Sequence, residues 1–179
     1  MKLSIYTDGS SRGNPGPGGW AAIIITDTEV IELGGFEDHT TNNRMELMGA
    51  IKGLREIGPH MHVESVEVFT DSQYVKKGMS EWISGWIAKG WKTSTKKQVL
   101  NQDLWEELHA EEKRLKNAGV AIAWTYVRAH VGVPLNERAD VIATSCADSV
   151  IIQKGLPAQT GATNLQLYRG AKSDYGFLV

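Results

Sequence analysis

Leu3-Ser4-Ile5-Tyr6-Thr7-Asp8, the glycine-rich run Gly9-Ser10-Ser11-Arg12-Gly13-Asn14-Pro15-Gly16-Pro17-Gly18-Gly19, and the apolar segments at 20–26 and 29–36 decide the fold. Residues 3–7 alternate apolar and polar, the period of a half-buried strand. Residues 20–26 and 29–36 read as two more strands, with only the turn residues Asp27 and Thr28 between them. Strands joined by so short a turn run antiparallel. The chain therefore opens with a predicted three-strand meander.

Beyond it the period changes. Thr40-Thr41-Asn42-Asn43 is a helix-start signal, and Glu46 stands three residues after Asn43 in capping-box spacing. Leu47, Ile51 and Leu54 form the apolar stripe of that helix, which Gly58-Pro59 stops. Residues 65–70 alternate as a fourth strand. Helical stretches follow at 72–78 and 80–88, then a polar loop at 90–99. Leu104, Trp105, Leu108 and Leu115 mark an amphipathic helix over 101–116. Residues 120–127 read as a fifth strand, and Pro134 opens a last helix toward Val150. The order predicts an α/β fold: a mixed five-stranded sheet, three antiparallel strands then two more, with helices on both faces. From Gly155 the pattern dissolves into scattered glycines. Residues 1–154 are expected to form one domain, with 155–179 as a C-terminal extension outside the core, although Leu165, Leu167, Tyr168 and Tyr175 could dock somewhere.

The 179-residue chain is 41% hydrophobic and 22% charged, the composition of a soluble globular protein. No apolar run approaches the ~20 residues of a membrane helix, and Asp8 interrupts the start before a signal-peptide core could form. The single cysteine, Cys146, has no intrachain partner, which fits a reducing cytoplasm. Net charge is only −2, but its distribution is uneven. Between residues 76 and 97 stand Lys76, Lys77, Lys89, Lys92, Lys96 and Lys97 against a single acid, Glu81. Trp82, Trp86 and Trp91 share this stretch. Lysines interleaved with large flat rings suit phosphates beside stacked bases or sugars. Trp82 and Trp86 are also i,i+4 neighbours and could equally be a helix's packing face.

Four carboxylates fall at strand ends or helix starts, where α/β sheets place their chemistry: Asp8, Glu46, Asp71 and Asp140. Read singly, each has a plainer account. Asp8-Gly9 could open a hairpin loop, Glu46 could complete a capping box, and Asp71-Ser72 could cap the next helix. Asp140 resists this, lying roughly 90° from the centre of the Leu135/Ala139/Ile142/Cys146 stripe, beside the core. Four coincidences are less economical than one shared site. An acidic cluster needs a cation, and hard oxygen ligands suit Mg²⁺ or Mn²⁺. His130, in a short loop before Asp140, could shuttle a proton, although a lone loop histidine is commonly inert. The glycine run is not a dinucleotide fingerprint, because a strand pattern rather than a helix follows it. A constrained loop approaching a sugar-phosphate chain through Asn14, or a plain hairpin, both fit it.

Tyr-Thr-Asp-Gly-Ser, Gly-Asn-Pro-Gly-Pro-Gly-Gly-Trp, Thr-Asn-Asn-Arg-Met-Glu-Leu, Thr-Asp-Ser-Gln-Tyr-Val, Gly-Trp-Lys-Thr and Asn-Glu-Arg-Ala-Asp, in this order from residue 3 to about 152, closely resemble bacterial type 1 ribonuclease H. The resemblance implies a ribonuclease H-like fold and an endonuclease that hydrolyses the RNA strand of RNA–DNA hybrids. It implies two Mg²⁺ ions, with Mn²⁺ as a substitute, and 5′-phosphate and 3′-hydroxyl ends. By the same resemblance Asp8, Glu46, Asp71 and Asp140 would be the catalytic metal ligands and His130 the assisting histidine. Asn14, Asn42, Asn43 and Gln73 would contact the RNA strand, and Thr41 with Asn14 a phosphate of the DNA strand. Trp82, Trp86, Lys89, Trp91 and Lys92 would form a protrusion gripping the DNA strand, with Trp105 beneath. A cytoplasmic monomer is expected. The chain departs from the family in the less basic Trp86-Ile87-Ala88-Lys89-Gly90, in Arg128-Ala129-His130 and in the 155–179 extension. Two rivals share the fold: a silent hybrid-binding domain, which would ordinarily have lost an acid, and a DNA nuclease or strand-transfer enzyme, which would not need the RNA contacts.

Overall fold

In the computed structural model, which describes residues 1–129, 132–153 and 165–176, the opening meander is the middle of a larger sheet. Strands β1 (Lys2–Ser11), β2 (Gly16–Ile25) and β3 (Glu29–Thr40) pair antiparallel. Helix α1 (Asn42–Arg55) then carries the chain across, and β4 (Ser65–Thr70) returns parallel to β1. Helix α2 (Gln73–Lys77) runs through one π-helical turn (Gly78–Trp82) into α3 (Ile83–Ala88), and α4 (Gln102–Asn117) leads into β5 (Ala121–Tyr126), parallel to β4. Helix α5 (Pro134–Gln153) and β6 (Leu165–Ala171) complete the order β5-β4-β1-β2-β3-β6.

Strand periodicity explains both cores. Ile5, Ala22, Ile24, Val66 and Val68 point to one face and meet Leu47, Ile51 and Leu54 of α1 and Trp105, Leu108 and Leu115 of α4. Ala21, Ile23 and Ile25 point to the other and meet Leu135, Ala139, Ile142, Ala143 and Cys146 of α5. Covered on both faces, β2 is a nearly unbroken apolar run. The expected mixed sheet with helices on both faces is what forms.

Three expectations need correction. The sheet has six strands rather than five: β6 adds antiparallel to the outer edge of β3, and Tyr175 just beyond it is buried. The described part of the extension, 165–176, is thus joined to the core rather than outside it, because β3 otherwise offers a free row of backbone donors and acceptors. Next, the glycine run is mostly strand. Ser10 pairs with Gly19 and Ser11 with Gly18, leaving only residues 12–15 as the turn. Last, the helix after β3 is capped by Thr41, whose Oγ1 accepts from the Arg44 N–H at 3.4 Å. Glu46 therefore completes no capping box.

Candidate active site

Asp8 and Asp71 are brought together by backbone register. The parallel ladder of β1 and β4 ends at the pair Thr7 and Thr70, so each aspartate is the next residue along its strand. Asp8 is inside β1 rather than in a hairpin turn, and its Oδ1 accepts the Gly9 N–H at 2.8 Å. Asp71 is not the cap of α2 either. That role falls to Ser72, whose Oγ accepts from the Val75 N–H at 3.3 Å. The plainer accounts of both aspartates are thereby excluded.

Glu46 arrives because α1 lies directly on β1. A Cβ at Gly9 would fall 2.1 Å from the Glu46 nitrogen, and one at Gly49 would fall 2.7 Å from the Ala21 carbonyl oxygen. Only glycines at these positions let helix and strand backbones approach so closely. Glu46 is buried, and Oε1 accepts from Asn42 Nδ2 at 3.4 Å. Its Oε2 is buried without a partner. Carboxylate oxygens of Asp8, Glu46 and Asp71 lie within 4.8 Å of one another.

Asp140 approaches from the opposite face of the sheet, on α5. Its charge bears on Asp8 and pushes that carboxyl up, and it accepts from Thr144 Oγ1 at 3.4 Å. One turn earlier on the same helix face, Asn136 donates from Nδ2 to Asp71 Oδ2 at 3.0 Å. Asp8, Glu46 and Asp71 therefore converge, and Asp140 stands near enough for its charge to bear on Asp8. Asn136 escaped notice as a site residue, although its position four before Asp140 already places both on one side of a helix.

The cluster is electrostatically unfavourable as it stands. Burial, then the charge of Asp71, pushes the Asp8 carboxyl up to about 8, with a further push from Asp140, while the Gly9 N–H opposes it. Burial, then Asp8 and Asp71, likewise holds Glu46 well above the usual carboxylate range. No cation is among the groups that shift either one. Arg12 feels Asp140 but is held in a two-pronged pair by Asp148, at 2.5 and 2.8 Å. Crowded, buried carboxylates with an orphaned Glu46 oxygen are the donor set that a hard divalent cation completes.

Around this cluster lie the other sequence candidates. Asn14 Oδ1 accepts the Asn42 N–H at 3.3 Å, tying the β1–β2 turn to the start of α1. Asn14, Asn42, Asn43 and Gln73 are exposed, and Thr41 is half-buried. Farther out, Trp82 and Trp86 are half-buried with ring centroids 5.6 Å apart, and Trp86 meets Trp105 at 5.3 Å. Trp105 is fully buried and donates from Nε1 to the Tyr74 hydroxyl at 3.0 Å. The packing reading of this pair therefore holds. Trp91 is half-buried at φ 61°, and Lys89 and Lys92 are exposed beside it. His130 lies outside the described residues.

A mixed sheet whose acids gather where its parallel strands part fits the class of enzymes that cut phosphodiesters with divalent cations. The RNase H family model matches residues 1–148, and the chain belongs to that family. It is 51% identical over 142 residues to a ribonuclease H of Marinobacter nauticus, covering 79% of this chain and 91% of the relative. A ribonuclease HI of Caulobacter vibrioides is also 51% identical over 142 residues, at 79% and 90% coverage. Among solved structures, the fold is similar to LC9-RNase H1, described as a type 1 RNase H with the type 2 active-site motif. That match has a TM-score of 0.73 at 28% identity and covers 99% of this chain and 79% of the other. The N-terminal RNase H domain of a Mycobacterium tuberculosis protein gives 0.66 at 26% identity, covering 86% and 99%.

Proposed function

We propose that the chain is a divalent-metal-dependent endoribonuclease that hydrolyses the RNA strand of RNA–DNA hybrids, leaving 5′-phosphate and 3′-hydroxyl ends. The observation that carries this is the convergence of Asp8, Glu46 and Asp71 within 4.8 Å, with one buried Glu46 oxygen unpartnered, in a member of the RNase H family. Asp8, Glu46, Asp71 and Asp140 would hold two Mg²⁺ ions, or Mn²⁺ in their place. When bound, such ions activate water and neutralise charge on the departing 3′-oxygen.

The chain's own residues do the rest. Asn136 holds Asp71 toward the cluster, and the Gly9 N–H holds Asp8. His130 would carry a proton to or from the reacting oxygens. Asn14, Asn42, Asn43 and Gln73, exposed near the acids, would read the RNA strand, whose 2′-hydroxyl distinguishes it from DNA. Thr41 with Asn14 would hold a phosphate of the DNA strand, and Trp82, Trp86, Lys89, Trp91 and Lys92 would grip that strand farther along. The chain would act as a cytoplasmic monomer.

A digestion panel of RNA–DNA hybrid, RNA duplex, DNA duplex and single strands tests this, each with Mg²⁺, Mn²⁺ or chelator. Cleavage confined to the RNA of the hybrid, and abolished by chelator, is expected. Equal cutting of duplex DNA would instead select the DNA-nuclease reading, and hybrid binding without cleavage the silent domain.

A further inference from the structure

Helix α5 supplies Asn136 and Asp140 to the acidic cluster, so its roll about its own axis sets where both side chains reach. Its contact with the sheet combines a central seam of small residues with the larger Leu135, Ile142 and Cys146 beside it. Ala139, Ala143 and Ala147 make a flat seam, and a Cβ on Gly19 beneath would fall 2.2 Å from the Ala143 carbonyl oxygen. Such a seam fixes the distance between helix and sheet, but small side chains interlock little against rotation. Leu135, Ile142 and Cys146 limit rotation beside the seam, and the polar flanks add directional contacts to that packing. At ~100° per residue Asn136 and Asp140 lie within about 40° of each other, and Arg138 lies on the opposite side.

That opposite side is anchored by the extension. Arg138 donates from Nε and Nη2 to Glu32 Oε1 and Oε2 of β3, at 2.7 and 2.9 Å. Tyr175 donates its hydroxyl to the same Oε1 at 2.5 Å. Glu32 is 2% exposed and Tyr175 5%, so the carboxylate is out of water and its charge is met by these two side chains. Strand β6 delivers the tyrosine. Glu32 pairs with Tyr168 and Leu33 with Gln166, which leaves Leu167 as the extra residue of a bulge beside Glu32. The Tyr168 and Tyr175 rings then pack at 5.4 Å. A two-pronged guanidinium–carboxylate pair is directional, and its stiffness depends on the carboxylate being held from a third side.

We propose that Tyr175 is a positioning residue for the metal site: through Glu32 and Arg138 it fixes the roll of α5 and so the reach of Asn136 and Asp140 toward Asp71 and Asp8. This rests on the metal-dependent reading above, and it assigns a role to a residue beyond the 1–148 stretch that the family model matches.

The test compares the full-length chain with Tyr175→Phe and Glu32→Gln, and with Tyr168→Phe as a control that loses a tyrosine hydroxyl of β6. Mn²⁺ binding is measured by calorimetry, the Asn136 side-chain amide by ¹⁵N NMR, and unfolding by heat. Tyr175→Phe and Glu32→Gln are expected to weaken Mn²⁺ binding about three- to tenfold and to move the Asn136 resonance, with Tyr168→Phe doing neither. A fall in Tm with the wild-type ion affinity and Asn136 resonance retained would reduce the extension to plain stabilisation and overturn the proposal. Should the wild type itself bind no Mn²⁺, the metal reading fails first. The amide resonance then decides the brace alone, moved in its favour or unmoved against it.

Discussion

Thr7 of β1 and Thr70 of β4 are the last partners of the parallel ladder, and Asp8 and Asp71 are the first residues past it. A slip of one residue would turn Asp8 to the other face of the sheet, so the core that fixes the register also fixes the cluster. Asp71→Asn keeps the side chain's size and removes one charge. It is expected to lower Mg²⁺-dependent hybrid cleavage by at least ~100-fold, the scale of losing a metal-directed catalytic group. Relief of like-charge crowding should leave Tm unchanged or raised in chelator. Single-turnover cleavage and a thermal melt of the same sample check both halves.

The same crowding predicts an unusual pH dependence. In the folded chain the Asp8 carboxyl is pushed up to about 8, by burial first and then by Asp71 and Asp140, and Glu46 is also raised. Carboxylates of an unfolded chain release their protons near ~4. Between those values the native state binds more protons than the unfolded state, so stability falls as pH rises. This contribution is complete below about pH 4 and is lost as pH passes through 8. Melts in chelator across that range should show the decline, Mg²⁺ should reverse it most at the alkaline end, and Asp8→Asn should flatten it. A wild-type Tm that climbed steadily toward pH 8 in chelator would contradict the arrangement.

Gly9 tests whether close backbone packing builds the site. A Cβ there would sit 2.1 Å from the Glu46 nitrogen and 2.4 Å from the Met45 carbonyl carbon, both backbone atoms. Neither can move aside as a side-chain tip would, so α1 must shift off β1. Gly9→Ala is expected to cost about 1–3 kcal/mol of stability, as overpacking does. Divalent ion affinity should fall further than that loss alone implies, because Glu46 retreats from Asp8. Urea unfolding and ion titration on one preparation separate the two effects.

The sequence made the acids legible because local rules and tertiary placement agree there. Alternation gave the strands and helical period gave the stripe edges, so Asp8, Glu46, Asp71 and Asp140 could be assigned to one site before their distances were known. Glu46's helix start was less clear because Thr40, Thr41, Asn42 and Asn43 are all acceptable caps, and only the geometry selects Thr41. β6 was invisible for a different reason. Leu165, Leu167 and Tyr168 mark apolar residues that could dock, but the run ends Arg169-Gly170-Ala171, and its strand order comes from pairing with β3, more than a hundred residues earlier. The same distance hid the contact of Tyr175 with Glu32. The tryptophan–lysine stretch was open to two readings because helical spacing cannot tell a packing face from a ligand face. Trp82 proves to pack tilted against Trp86, and Trp86 edge-on against Trp105, which leaves Lys89 and Lys92 exposed for solvent or substrate.

Those exposed lysines supply the last prediction. Lys89 and Lys92 flank Trp91, whose N–H is tied to the Trp86 carbonyl oxygen at 2.7 Å, so they are carried on an ordered turn rather than a loose loop. Cations held out from a packed base suit contacts with a phosphate backbone well away from the acids. Each phosphate neutralised releases condensed counterions, and the slope of log affinity against log salt drops by on the order of one per lysine removed. Lys89→Ala with Lys92→Ala is therefore expected to lower that slope by about two for hybrid binding. The kinetic loss should fall on KM at physiological salt rather than on the chemical step, since neither lysine is among the groups whose charge shifts Asp8 or Glu46. Hybrid titrations at several salt concentrations, beside single-turnover rates at saturation, give both numbers. A slope equal to wild type would mean that the hybrid follows another path across the surface.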